Sequence, residues 1–384
     1  ASRTFMAPAV IRPNIVEIWG YCPKIQGMEE NVVATRYWHM LPDGQVQCDL
    51  CPRHCHLQEG QRGLCYVRQR LDDEVKLVSY GRSSGFCVDP IEKKPLNHFY
   101  PGSGVLSFGT AGCNLACKFC QNWDTTKSRE MDVMADRASP QQLAQAALET
   151  ACRSIAFTYN DPIIFMEYAL DVAAACREHD IRTVAVTAGY IDPEPRVEFF
   201  QAVDAANVDL KAFTDRFYYK ICGGHLAPVL ETLQYIKHET ETWLELTTLL
   251  IPDENDSTEE LDAMTRWVVD HLGPDVPMHF TAFHPDWKMQ DIERTPQSTL
   301  TRAREIARAN GVRYAYTGNV SDPAGSSTRC HHCDALLIER DWHRLGHWGL
   351  DREGKCQSCG TRLAGYFAEA PEQISARPVR VRFS

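Results

Sequence analysis

From residue 105 to residue 320 the chain alternates short apolar runs with longer amphipathic ones, and that rhythm constrains its fold more than any other feature. The runs are VLSFGT (105–110), SIAFTY (154–159), TVAVTAG (183–189), NVDLKAF (207–213), WLELTTLLI (243–251), MHFTAF (278–283) and YAYTGNV (314–320). Their β-branched and aromatic content is that of strands buried on both faces. Helix start signals lie between them. Ser139-Pro140 supplies an N-cap and a proline at the first helical position, with Leu143, Ala147 and Leu148 on one face. Ser257 with Glu260 reads as a capping box ahead of Leu261, Met264 and Val268. Thr295-Pro296 opens a run that reaches Ala309, and Gly311 stops it. Such alternation implies βα units around a parallel sheet. An open doubly wound sheet and a full or partial β/α barrel both satisfy it. In either, chemistry belongs on the loops after the strand C-termini.

The bulk properties exclude some functions. A chain of 384 residues with 44% hydrophobic content has ample material for a large core. No stretch approaches the roughly 18 uninterrupted apolar residues of a membrane-spanning helix, and the N-terminus lacks a charged-then-apolar signal pattern. The expectation is a soluble, cytoplasmic protein with no membrane partner. The balance of 40 Lys+Arg against 51 Asp+Glu gives a net charge of −11, the wrong sign for a general polyanion binder, so nucleic acid is not an expected partner. Texture divides the chain into an N-terminal Cys-rich lobe (1–100), a βα region (101–322) and a C-terminal module and tail (323–384).

Eleven of the sixteen cysteines fall into three close-spaced sets. A long chain of ordinary composition is not a secreted disulfide scaffold, so these sets read as metal sites. Cys22, Cys87, Cys152, Cys176 and Cys222 are isolated and read as small buried hydrophobes, Cys152 and Cys176 within helical patterns. Cys48-x2-Cys51-x3-Cys55-x9-Cys65 offers four ligands, for zinc or for an auxiliary [4Fe–4S] cluster. Four cysteines make His54 and His56 unnecessary there, and Arg53 and Arg62 read as surface charges. Cys330-x2-Cys333 and Cys356-x2-Cys359, 22 residues apart, have the spacing of a zinc ribbon, with His331 and His332 as bystanders. So small a unit buries little core, and the metal supplies its folding free energy.

The middle set, Cys113-x3-Cys117-x2-Cys120, follows the first predicted strand and has only three members. A structural zinc site takes four protein ligands, and a cubane cluster normally takes four thiolates. Three thiolates on one loop leave one iron free to coordinate a substrate or cofactor directly. Gly112 and Asn114 permit the tight path around a cube, and Phe119 is placed to cover one face of the bound group.

Cys-x3-Cys-x2-Cys with an aromatic before its last cysteine resembles the radical S-adenosylmethionine (SAM) enzymes. That resemblance implies a partial (β/α)6 TIM-type barrel and a [4Fe–4S] cluster on Cys113, Cys117 and Cys120. It further implies SAM chelated to the open iron through its amino and carboxylate groups. Reductive cleavage then yields methionine and a 5′-deoxyadenosyl radical that abstracts hydrogen. The loop CNLACKFCQNWDTT is similar to that of glycyl-radical activating enzymes such as pyruvate formate-lyase activase. With FTYNDP, TAGY, VDLKAF, TTLLIPDENDS, HFTAFHPDWKM and the flanking cysteine sets, residues 30–367 closely resemble the radical SAM member of the AmmeMemoRadiSam system. Implied with it are Memo-type and AMMECR-type partner proteins, a flavodoxin- or ferredoxin-type reductant and a small organic substrate. The alternatives are a protein substrate, as in the activases, or a non-catalytic metal-binding scaffold.

Individual roles follow from the same resemblance. Asn160 and Asp161 stand where the superfamily has a Gly-Gly-Glu motif for the methionine amino group. The sequence departs from that motif but supplies acceptors for an ammonium; Asp161-Pro162 also reads as a helix N-cap. Lys211 matches the lysine that contacts the methionine carboxylate, with Asp209 as its alternative partner. Thr187 matches a threonine near the methionine, Thr247 or Thr248 faces the ribose, and His284 matches a histidine near the adenine. The segment DPIEKKPLNHFYPGS (89–103) reads as a solvated connector, or as one whose Glu92, Lys93, Lys94 and His98 reach the barrel mouth.

Overall fold

The computed structural model describes residues 31–127, 136–370 and 379–383, so Cys22 lies outside the described residues. Each predicted strand forms: β1 (Gly104–Phe108), β2 (Cys152–Phe157), β3 (Arg182–Thr187), β4 (Ala205–Asp209), β5 (Trp243–Leu250), β6 (Met278–Ala282) and β7 (Ala315–Gly318). Neighbours in the sheet follow chain order from β1 to β7, every pair parallel. A doubly wound sheet reverses direction at a switch point, and the strands among the described residues show none. Right-handed crossovers then place every intervening helix on one face. The other face becomes the interior of a partial barrel, which settles the choice left open by the pattern. On its free side β1 is extended by antiparallel Phe86–Pro90 and then Val379–Val381, giving nine strands.

The helix signals worked unevenly. Ser139 accepts the Gln142 N–H at 3.2 Å while the Gln142 side chain accepts the Ser139 N–H at 2.8 Å, a complete box opening helix Pro140–Glu149. At Thr258–Leu272 only half the box forms: Ser257 accepts the Glu260 N–H at 3.2 Å. The Glu260 carboxylate turns instead to the Phe213 N–H at 2.6 Å. Cys152 opens β2 and is not helical, because Ala151 turns the chain at φ +52° after the preceding helix has ended.

Inside the barrel, side chains divide into two levels. At the base, Ile91, Leu96 and Phe99 pack against Val105, Ala156, Val184 and Ala205. Glu245 of β5 accepts the N–H groups of Asn97 (2.9 Å) and His98 (2.7 Å), the Trp243 indole (3.0 Å) and His279 (2.7 Å). Segment 89–103 is therefore neither a solvated connector nor part of the mouth: it plugs the strand N-termini because its apolar residues fill that end. Glu92, Lys94 and His98 are buried with it. Burial pushes the Lys94 ammonium down to about 8, against the pull of Asp89 at 2.7 Å.

The C-terminal module docks on this plug. Its strands Thr328–Arg329, Leu336–Asp341 and Arg344–Trp348 are antiparallel. Leu337, Ile338, Leu350 and Leu363 form a small core with Tyr314 and Tyr316. Buried Arg340 donates to the Asn97 carbonyl at 2.8 Å, and the Tyr366 N–H to the His98 carbonyl at 2.8 Å. Trp348 packs on the module while Trp342 is exposed. With the base filled, the larger of the two cavities described below lies toward the strand C-termini.

Candidate active site at the barrel mouth

The loop after β1 folds back over the strand ends and is tied on several sides. Asn160 accepts the Thr110 N–H and donates to the Thr110 hydroxyl and the Gly112 carbonyl, each at 3.0 Å. Gly112 has φ +85°, and a Cβ there would stand 1.9 Å from the Cys65 carbonyl oxygen, so no other residue fits. The Ala116 and Lys118 N–H groups donate to the Cys222 and Ile221 carbonyls at 2.8 and 3.0 Å. The Asn114 amide reaches the Tyr190 carbonyl, and Lys127 the Leu115 carbonyl.

So fixed, Cys113, Cys117, Cys120 and Phe119 line a cavity of about 260 Å³. The ends of the strands complete it, with Thr158, Asn160, Asp161, Thr187, Asp209, Lys211, Thr247 and Thr281. All the residues singled out for the SAM site come together here except His284. That side chain is half exposed, 3.8 Å from the Asp286 carboxylate, and is not in the lining. Thr247, not Thr248, faces inward; Thr248 points outward and donates to the Leu210 carbonyl at 2.8 Å.

The polar groups have defined tasks. Asp161 accepts the Ile163 N–H (3.1 Å) as an N-cap, the Thr187 hydroxyl (2.9 Å) and the Ala188 N–H (3.0 Å), locking β2 to β3. Burial raises its pKa, and those three donors oppose the rise. The Asn160 and Asp161 acceptors expected to receive an ammonium thus already serve the chain's own donors. Lys211 lies 2.8 Å from Asp209 and 5.8 Å from the Phe119 ring centre. Burial opposes its charge, but the Asp209 carboxylate and the Cys117 sulfur, whose own pKa is lowered, outweigh burial and hold its pKa well above the ordinary value. The Cys222 thiol hydrogen-bonds Cys117 and, against burial, lowers its pKa. Burial pushes Cys113 up to about 12. Cys222 is thus a neighbour of the site, which no spacing signal revealed; turn Tyr218–Cys222 delivers it from elsewhere in the chain.

The donor set fits a cluster with an open position. Three thiolates of one loop face one cavity. Among the described residues, only Cys330, Cys333, Cys356 and Cys359 bring their ligand atoms all within 4.8 Å of one another. In that set Cys330 and Cys359 are 3.6 Å apart and Cys333 and Cys356 3.7 Å. A tetrahedron with Zn–S of about 2.3 Å has edges of about 3.8 Å, so this set fits zinc. His331 is turned to the Tyr314 hydroxyl at 2.9 Å.

Cys48, Cys51, Cys55 and Cys65 line a separate cavity. His54 and His56 are bonded elsewhere, to Asp192 at 2.7 Å and Gln47 at 2.9 Å. Arg53 is not a plain surface charge: it lines that cavity and donates to the Asn114 carbonyl at 2.8 Å. Arg62 likewise donates to the Tyr66 carbonyl at 2.9 Å.

The fold and this cysteine loop define a class. The chain belongs to the radical SAM superfamily, whose family model matches residues 108–265. It is an enzyme of that superfamily, whose members use a [4Fe–4S] cluster and SAM. An uncharacterized protein of Methanocaldococcus jannaschii is 39% identical over 328 residues, covering 85% of this chain and 97% of that protein. Similar solved structures include a domain of pyruvate-formate lyase-activating enzyme from Bacteroides vulgatus, with 14% identity and a TM-score of 0.38 over 43% of this chain and 98% of that one. Another is a radical SAM methyltransferase from Sphaerobacter thermophilus, with 15% identity and a TM-score of 0.45 over 80% of each chain.

Proposed function

We propose that this chain is the radical SAM member of an AmmeMemoRadiSam-type system, acting in the cytoplasm on a small organic substrate. When bound, a [4Fe–4S] cluster on Cys113, Cys117 and Cys120 with SAM supplies one-electron cleavage of the sulfonium to a 5′-deoxyadenosyl radical that abstracts hydrogen from that substrate. The observation that carries the reading is the cavity that those three cysteines share with Asp161, Thr187, Asp209 and Lys211.

The chain's own residues bind, orient and exclude water. Lys211, fixed by Asp209, offers a buried cation to the SAM carboxylate. Asp161 holds the end of β3 so that Thr187 stays in the lining. Phe119 supplies an apolar wall. Trp287 stacks on Trp123 at 5.0 Å, and the Lys288 N–H donates to the Lys118 carbonyl at 3.0 Å. The loop after β6 thereby covers the cysteine loop and limits water entry. In this reading residues 31–100 and the zinc-holding module of residues 328–367 flank the barrel. A flavodoxin or ferredoxin delivers electrons, and the resemblance over residues 30–367 supplies the Memo-type and AMMECR-type partners.

Anaerobic reconstitution with iron, sulfide, SAM and dithionite is expected to release 5′-deoxyadenosine, and Cys117→Ala to abolish release in a folded protein. Lys211→Met is expected to weaken SAM binding about tenfold or more, a hydrogen bond to a charged group contributing about 1.5–3 kcal/mol. A fully clustered protein that releases none would overturn the reading. Deuterium moving from a labelled candidate into 5′-deoxyadenosine would identify the substrate.

A further inference from the structure

We propose that Cys48, Cys51, Cys55 and Cys65 hold a second, fully ligated [4Fe–4S] cluster and not zinc. The inference stands apart from the reading of the active site, because it concerns a different set of ligands.

The C-terminal module provides an internal standard. Its four sulfurs close to the spacing a zinc tetrahedron needs, whereas no three of the N-terminal four come within 4.8 Å of one another. Instead, the four N-terminal cysteines line a common cavity with room for about one water-sized sphere, about 20 Å³. A zinc ion lies about 2.3 Å from each sulfur and leaves no such room at its centre. A cube of iron and sulfide separates its thiolates more widely.

The surroundings suit a buried anion with sulfide faces. Arg68 is 1% exposed, and its Nη1 has no hydrogen-bond partner; Arg53 Nη2 is likewise buried without one. Both side chains line this same cavity. Backbone N–H groups of Leu50, Arg53 and Arg68 hydrogen-bond the sulfurs of Cys48, Cys51 and Cys65 respectively. Leu50, Leu57 and Ile164 supply apolar lining. Four thiolates leave no open iron, so SAM has no place here. The site is joined to the active-site loop through Gly112 packed on the Cys65 carbonyl and through Arg53 on the Asn114 carbonyl.

The test uses the full chain carrying Cys113→Ala, Cys117→Ala and Cys120→Ala, reconstituted anaerobically with iron and sulfide. About four iron and four sulfide per chain are expected to remain, with a dithionite-reduced EPR signal that SAM leaves unchanged. Zinc in place of that iron, or no metal beyond the C-terminal zinc in a folded protein, would overturn the proposal. Should the triple variant fail to fold, Cys51→Ala combined with Cys55→Ala in the otherwise intact chain takes its place. Iron is then expected to fall from about eight to about four per chain while the SAM-induced EPR change persists. About four iron per chain in both the intact chain and the variant would refute the second cluster. Absence of SAM cleavage with both clusters present would fault the active-site reading and leave this one standing.

Discussion

At the mouth of the barrel, Cys48 and Cys65 belong to the main hydrophobic core, with Leu50, Leu57 and Leu115 around them. At the base, Cys330 and Cys356 belong to a separate small cluster, while Cys333 and Cys359 face solvent. Both sets have four thiolates, but only the base set closes on a point. The mouth sulfurs are placed by a large apolar core of which they are a small part. The module has too little core to do likewise. Two sets of four cysteines are thus arranged differently: at the base they converge on a point, and at the mouth they frame a cavity.

The widest difference is expected when metal is withdrawn. Structural zinc contributes about 10–16 kcal/mol of binding free energy that is also folding free energy. Cys356→Ala is expected to lower zinc by about one per chain and to make residues 328–367 protease-sensitive, with the iron content of the mouth unchanged. Iron lost in parallel with zinc would break the distinction between the two ends.

Arg68→Met probes the mouth. The guanidinium donates to the Ile164 carbonyl at 3.1 Å and pairs with Glu167 at 2.5 Å. Removing one partner of a buried pair costs about 3–5 kcal/mol. The expected result is a lower urea midpoint together with loss of the mouth iron and retention of the base zinc. A loss below about 1 kcal/mol, the range of an exposed pair, would show that Arg68 does not neutralise the site.

How legible these features were in the sequence depended on range. The seven strands were visible because buried parallel strands are runs of consecutive apolar residues, and the cysteine loop because its ligands lie within eight residues. Singly wound topology was not visible in the apolar pattern, since strand order depends on which neighbours pair; the partial barrel was expected from the resemblance of the cysteine loop, and the sheet bears it out. Segment 89–103 misled because its charges suggest solvent. Only the folded chain supplies Lys94 with Asp89, and Glu245 with the amides of Asn97 and His98. Cys222 and Arg53 were missed for the same reason: each reaches its site from a distant part of the chain. Zinc and iron–sulfur sets share one spacing alphabet, and only the separation of sulfurs in space distinguishes them.

The base should also be the acid-sensitive end. His98 sits between plug and module, with one ring nitrogen 2.7 Å from the Ala364 carbonyl and the other 2.6 Å from the Tyr316 hydroxyl. Burial pushes its pKa down to about 4, opposed by Glu245 and reinforced by Arg340 and His279. An unfolded chain takes up this proton below about 6.5, whereas the folded chain does so only below about 4. Between those values the unfolded state binds more protons, so stability rises with pH and falls as pH drops. At pH 4.5 the loss from this one group is on the order of 2–3 kcal/mol relative to pH 7.5. Urea unfolding at both pH values should show that loss in the native chain and a correspondingly smaller one in His98→Gln. Limited proteolysis at pH 4.5 should cut within residues 328–367 before the cysteine-rich mouth. Equal pH dependence in the two proteins would mean that the module docks on the plug without relying on a neutral histidine, and the contrast between the two ends would then rest on their metals alone.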